Sequence, residues 1–318
     1  MSTKPPALVP FLALLIGLLP PPGSADPLKV TEVAPGVFVH QGVHQVPDAR
    51  NHGEIANIGF VIGENCVAAI DSGASPAEGQ QLIEAIREKT QLPISYVINT
   101  HVHPDHIYGN LAFKKEGARF IGHHKLGRAM AERARYYGER AQRDLGLTLT
   151  EESIVPPDLP VQDTLSIDLG GRALILTAHR TAHTDNDLSI LDTKTRTLWL
   201  GDLLFMGHLP VIDGSLIGWL REIKRLRKTE ADRVIPGHGP VSASWPLALI
   251  SEEKYLQDLA TQVRESLRKN STIEQAMSEI KSKTPGDWLL YDEFHKRNVA
   301  TAFAELEWEE ESQEPTEE

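Results

Sequence analysis

Short apolar runs, each closed by a turn bearing Gly, Pro or Asp, recur along the chain after Asp26. Cys66–Ile70 reads CVAAI and stops at Asp71-Ser72-Gly73, as a buried strand does. Val37–His40, Ile58–Ile62, Ile94–Ile98 and Phe120-Ile121 follow the same rule, with Gly63-Glu64-Asn65 as a turn. Pro76–Thr90 places Leu82, Ile83 and Ile86 on one helical face. Lys125–Leu147 is long, polar and Arg-rich, and predicts a helix. In the second half, Ala173–Leu176, Leu188–Leu191 and Leu198–Leu200 predict strands, the last two joined through Asp192–Thr197. Val234-Ile235 is a short strand entering Pro236-Gly237-His238-Gly239. Pro246–Lys269, Ile273–Ser282 and Asn298–Trp308 predict helices. Strands mixed with helices in both halves predict α/β packing, sheet on sheet with helices outside. There is no internal repeat and no long linker.

Residues 1–25 break this pattern. Lys4 precedes an apolar run from Leu8 to Leu19, closed by Pro20-Pro21-Pro22, and Gly23-Ser24-Ala25 offers small residues for cleavage. That layout predicts a signal peptide, with the mature protein in the periplasm or secreted. The run is too short for a comfortable membrane span and nothing later approaches one, so no stable membrane insertion is expected. The chain of 318 residues is 41% hydrophobic and 24% charged, which excludes a wholly disordered polymer. Its net charge of −12 argues against nucleic acid as a partner. Residues 309–318 form an acidic tail that predicts a solvated end. The single cysteine, Cys66, excludes an intrachain disulfide and sits in an apolar strand, so core packing is its expected role.

Thirteen histidines are present, and three of them fall within Thr100-His101-Val102-His103-Pro104-Asp105-His106. Three imidazoles and a carboxylate crowded together would be costly without a cation. Imidazole and carboxylate suit zinc and other borderline metals. His101 and His103 can converge on one ion from an extended segment, while Asp105 and His106 can face a second. His183, Asp202 and His238 recur downstream, each shortly after an apolar strand.

On these residues the sequence resembles the metallo-β-lactamase superfamily: His-x-His-x-Asp-His, then a later His, Asp and His in order, over roughly Val37 to Val241. The resemblance implies a four-layer αβ/βα sandwich over residues 26–245, with added C-terminal helices over 246–308. It implies one metal held by His101, His103 and His183, a second by Asp105, His106 and His238, and Asp202 bridging both. The expected activity is hydrolysis of a small ester, thioester, lactone or amide by a metal-bound hydroxide, with Asp105 also handling the water's proton. Two Zn²⁺ per chain are expected, with iron as the alternative. The segments NTHVHPDHIYGN, GHHKL, AHRTAHTDND, LWLGDLLFMGHLPVIDGSLIGW, IPGHGP and ELEWE look like exported zinc metallohydrolases found beside quinoprotein dehydrogenase or sulfur-oxidation systems. A small-molecule substrate and a link to a periplasmic redox enzyme are the partners this implies. The same ligand types also permit a mononuclear iron persulfide dioxygenase, or a metal-binding accessory factor without turnover.

Two departures shape the expectation. The β-lactamases of this fold usually carry Cys or Ser at the position of Asp202, so poor β-lactam turnover is expected. Tyr108 stands where many members have Gly, so it can line the pocket, as can His208 and Asp213 in the loop after Asp202. Arg180, close to His183 in sequence, is a candidate anion contact. His179 is expected to be packed and hydrogen-bonded. His123 and His124 are expected to be structural. His40, His44, His52 and His295 carry no assigned role.

Overall fold

A computed structural model describes residues 26–149, 153–282 and 288–309. The signal-like segment and all but one residue of the acidic tail lie outside the described residues.

The first sheet contains β1 (Thr31–Ala34), β2 (Val37–His40), β3 (Ile58–Ile62), β4 (Val67–Ile70), β5 (Ile94–Ile98), β6 (Arg119–His123) and β7 (Leu159–Val161), in that order across the sheet. β1 to β4 pair antiparallel; β4 to β7 pair parallel. The second sheet runs β13 (Ala243–Ser244), β12 (Arg233–His238), β11 (Thr197–Phe205), β10 (Leu188–Asp192), β9 (Ala173–Ala178), β8 (Thr164–Asp168). Here the β11–β12 pair is parallel and its neighbours are antiparallel.

Strand alternation explains the layering. Val37, Val39, Ala68, Ile70, Ile98 and Ile121 point inward, where they pack with Leu174, Leu176, Leu188, Ile190 and Trp199 of the second sheet. Phe38, Phe60, Ala69, Val97 and Phe120 point the other way, onto α1 (Pro76–Lys89) and α3 (Asn110–Lys115). Both faces are therefore covered, so these strands read as continuous apolar runs and not as alternating ones. The outer face of the second sheet packs on α5 (Leu216–Leu226), α6 (Ile250–Arg268) and α8 (Tyr291–Leu306), with Trp219, Ile223, Leu256, Val299 and Phe303 in one core. The result is the expected helix–sheet–sheet–helix sandwich with C-terminal helices. Between β5 and α3 lies the short α2 (Pro104–Ile107); α4 (Leu126–Arg140) ends in one π-helical turn, Ala141–Leu145; α7 (Ile273–Glu279) packs beside α8.

Three details depart from the pattern reading. β11 continues past Leu200 to Phe205, so Asp202 lies within a strand. The predicted helix over Pro246–Lys269 starts as a 3₁₀ turn, Leu247–Leu249. α5 falls where no element is assigned, although Leu216, Trp219, Ile223 and Leu226 share one helical face. The Ser215 side chain and Glu305 of α8 cap its N-terminus: Leu216 N donates to Glu305 Oε2 at 2.6 Å. A carboxylate there meets the positive end of the helix dipole.

A buried ion pair clips the two sheets together at their far edge. Arg172 donates to Asp192 through Nε (3.1 Å) and Nη2 (2.5 Å), and through Nη1 to the Ile62 carbonyl of the first sheet (2.8 Å). Both side chains are buried. Arg172→Met strands the Asp192 charge and should destabilise the protein by about 3–5 kcal/mol. The double variant with Asp192→Asn should recover most of that loss. Urea denaturation of the three proteins measures both effects.

Candidate metal centre

The site is built where β5 of one sheet and β11 and β12 of the other reach the same edge of the sandwich. β5 hands the chain to Asn99, Thr100 and His101. His103 precedes a proline, which biases it away from helix, and it is extended (φ −66°, ψ 148°). Pro104 then opens α2, so Asp105 and His106 lie in a helical first turn. Gly201 lies at a register shift of β11 with φ +51°, and a Cβ there would sit 2.6 Å from the Thr100 side chain. At Gly237 a Cβ would fall 2.0 Å from Asp202 Oδ1. These two glycines let the strands close around Asp202.

The fold brings together all seven residues read from the sequence. His101, His103, His183 and Asp202 form one group of donor atoms; Asp105, His106 and His238 form another. His103 Nδ1 lies 3.0 Å from both His101 Nε2 and His183 Nε2. Asp202 Oδ2 lies 3.6 Å from His101 Nε2 and 3.4 Å from both His183 Nε2 and His238 Nε2. Its Oδ1 is 3.2 Å from His106 Nε2. Asp105 Oδ2 is 3.4 Å from His238 Nε2 and 3.6 Å from His106 Nε2. Asp202 therefore faces both groups.

The other ring nitrogen of each histidine fixes its tautomer. His183 Nδ1 donates to the Val211 carbonyl (2.7 Å) and His238 Nδ1 to the Ile55 carbonyl (2.9 Å). His106 Nδ1 donates to Asp71 Oδ2 (2.8 Å), and His103 Nε2 to Asp213 Oδ2 (3.1 Å). His101 Nδ1 meets the Thr100 hydroxyl (3.0 Å), which itself donates to Asp71 Oδ2 (2.8 Å), so the imidazole is the donor. These assignments follow from the partners. With all five rings neutral, they leave five imidazole lone pairs and two carboxylates aimed at one space, with no donor among them. His106 Nε2 and Asp202 Oδ1 are buried without any hydrogen-bond partner. Such a set of acceptors is stable only around cations, and its nitrogen and oxygen atoms fit borderline divalent metals.

The electrostatics of His101, His183 and Asp202 agree, whereas His106 and His238 favour a proton that a cation would displace. Burial, helped by the nearby His106, holds His101 far below the usual imidazole range, and burial pushes His183 down to about 4. Both therefore stay neutral, as ligands must. Burial alone would raise Asp202, but His238, His106 and His101 outweigh it and keep the carboxylate ionised. His106 and His238 are raised: Asp202 and Asp105, with Asp71 for His106, overcome the cost of burial.

Asp71 and Thr100 organise this arrangement, and the sequence reading missed both. Asp71 also accepts from Thr100 N (2.7 Å) and takes φ +55° directly after β4. The signal was available: a polar residue closing a buried strand, one parallel neighbour away from the histidine-bearing strand. Asp213, read as a pocket residue, lines the cavity and also holds His103. Arg297 of α8 donates to its other oxygen at 2.9 Å, which joins the C-terminal helices to the site.

A cavity of about 350 Å³ opens over the donor set. Tyr108 and His208 line it. His208 donates through Nδ1 to the Leu209 carbonyl (2.7 Å), and burial pushes it down to about 3, so it meets the cavity as a neutral ring. Arg180 is corrected: it lines a different cavity, with His123, His124 and His179. His179 is packed as expected, bonded to Ser189 Oγ (2.7 Å) and Glu222 Oε2 (3.3 Å) under α5. Cys66 is buried in the core between the sheets.

Asp71→Asn removes the charge shared by His106 and the Thr100–His101 pair. It should weaken metal affinity by about 10–100-fold with the fold retained. Competition with a chromogenic chelator reads the affinity, and circular dichroism reads the fold.

Comparison with known proteins agrees with this geometry. The family model for the metallo-beta-lactamase superfamily matches residues 53–238. A metallo-beta-lactamase from Pontibacter korlensis is similar in structure, with 20% identity and a TM-score of 0.59, over 72% of this chain and 99% of that one. The metallo-beta-lactamase FIM-1 from Pseudomonas aeruginosa, solved in a mono-zinc form, shows 21% identity and a TM-score of 0.56, over 72% and 95%. No curated protein sequence matches the chain. The chain belongs to the metallo-beta-lactamase superfamily.

Proposed function

We propose that the protein is an exported dinuclear zinc hydrolase acting on a small ester, thioester or lactone. The observation that carries this reading is Asp202 facing two histidine groups at once, which supplies donors for two ions. His101, His103 and His183 would hold one ion, Asp105, His106 and His238 the other, and Asp202 both. When bound, such ions supply Lewis acidity at a carbonyl oxygen and a nucleophile at neutral pH.

The chain's own residues do the rest. Asp105 borders the cavity and faces both His106 and His238, so it can orient a water and accept its proton. Asp202 places a full negative charge at the centre of the site. That charge tempers the pull on a substrate carbonyl and favours leaving groups that depart readily, such as thiolates and alkoxides. An amide nitrogen needs stronger stabilisation or a proton as it leaves. The FIM-1 mono-zinc form supports zinc as the metal type. The Lys4-led apolar run supports export, and the motif run ending in ELEWE supports a place beside a quinoprotein or sulfur-oxidation system. Among the described residues no helix is long and apolar enough to cross a membrane.

Metal analysis of protein purified without added metal should give close to two zinc ions per chain. His103→Ala should empty one site first, and Asp202→Ala should weaken both. One iron per chain would favour the oxygenase reading.

Steady-state kinetics on matched thioester and β-lactam panels tests the role of Asp202. Thioesters should show the higher kcat/KM. β-Lactams turned over ~10-fold faster, about 1.4 kcal/mol in barrier, would contradict the proposal. Metal binding with no turnover of any substrate would indicate an accessory factor.

A further inference from the structure

The cavity over the donor set carries more charge than the metal chemistry uses. Its lining includes four aspartates and three arginines. Asp105 and Asp202 belong to the donor set. Asp213 is paired with Arg297 at 2.9 Å. Asp144, in the π turn after α4, is paired with Arg140 at 3.2 Å and with Arg143 outside the cavity at 2.7 Å. The remaining cation is Arg133. Among the described residues it has no ion pair and no side-chain hydrogen bond, although it is half-buried in the cavity wall.

Its position is set by helix geometry. Arg133, Tyr136, Tyr137 and Arg140 are spaced by three, four and seven residues along α4, so they share one face, and all four line the cavity. Tyr137 stands edge-on to Tyr108, with ring centroids 6.5 Å apart. Burial raises both phenols and keeps them protonated, so neither competes as an anion. The wall is therefore an aromatic surface carrying one guanidinium without a counter-ion. A partly desolvated cation gains most from an anion brought by a ligand. A planar fork of donors fits a carboxylate in two parallel hydrogen bonds.

We infer that Arg133 is a specificity residue that binds a free carboxylate at the far end of the substrate, so that the preferred substrates are half-esters or half-thioesters of dicarboxylic acids with a short apolar body. The inference rests on the hydrolase reading for the reacting end and on the cavity's charge pairing for the other. One unpaired cation matches the single charge of a carboxylate.

Two arms separate these supports. In the first, zinc-loaded protein is given S-phenyl thioadipate with its carboxyl free, and the same compound with that carboxyl capped as a methyl ester. The free acid should show kcat/KM at least ~10-fold higher. Arg133→Met should remove that preference while leaving the capped substrate within about twofold, and Arg133→Lys should restore part of it. Equal rates on the two substrates, or an equal loss on both in Arg133→Met, would overturn the inference. In the second, calorimetry on the same proteins compares 6-oxoheptanoate, which carries a free carboxylate and no hydrolysable bond, with heptan-2-one, which lacks the carboxylate. Wild type should bind the keto acid ~10-fold more tightly, and Arg133→Met should lose that preference. Equal or absent binding in wild type would overturn the carboxylate subsite. If wild type hydrolyses neither thioester yet discriminates in calorimetry, the hydrolase reading fails and the subsite stands.

Discussion

Seven side chains aim acceptor atoms at one space at the edge of the sandwich, and among the described residues no other group donates to them. The rest of the structure depends on holding that arrangement. Lone pairs 3.0 Å apart repel, and buried carboxylates beside them add to the cost. Each imidazole is therefore tied from behind: to a carbonyl for His183 and His238, to Asp213 for His103, and to Asp71 for His106 and, through Thr100, for His101. The ring nitrogens facing away fix the ones facing in. Remote parts of the fold acquire a stake in the site in this way. Val211 and Asp213 lie in the loop before α5, Ile55 lies in the loop before β3, and Arg297 lies on the last helix.

The sandwich supplies the rigidity this needs. Its strands are covered on both faces, and the parallel pairs β4–β5 and β11–β12 end at the same edge. Asp71 and Thr100 come from the first pair, Asp202 and His238 from the second. Gly201 and Gly237 allow the close approach. The C-terminal helices are part of the same design. α8 caps α5 with Glu305 and fixes the loop before α5: Asn298 donates to the Pro210 carbonyl and accepts from Ile212 N.

Much of this was legible in the sequence, for identifiable reasons. The candidate ligands could be read because their residue types have no inexpensive alternative explanation at that density. The strands could be read because burial on both faces makes them apolar throughout, as in CVAAI. The edge strands β1 and β8 were not, because exposed positions such as Thr31, Glu32 and Ser166 dilute the pattern. α5 was hidden by its neighbourhood: it follows a loop rich in Gly, Pro and polar residues, and Gly218 inside it lowers its helix propensity. Glu305 was beyond reach because it acts on α5 from far along the chain, whereas Asp71 was signalled by its place at the end of a buried strand. Arg180 is close to His183 along the chain, yet it lines another cavity.

Two cations filling the space among the seven acceptors would satisfy the whole donor set. Anomalous diffraction at the zinc edge, from crystals of protein purified without added metal, tests this directly. Two peaks are expected: one among His101, His103 and His183, the other among Asp105, His106 and His238, with Asp202 touching both. A single peak that leaves Asp202 uncoordinated, or no peak within the cluster, would contradict that expectation.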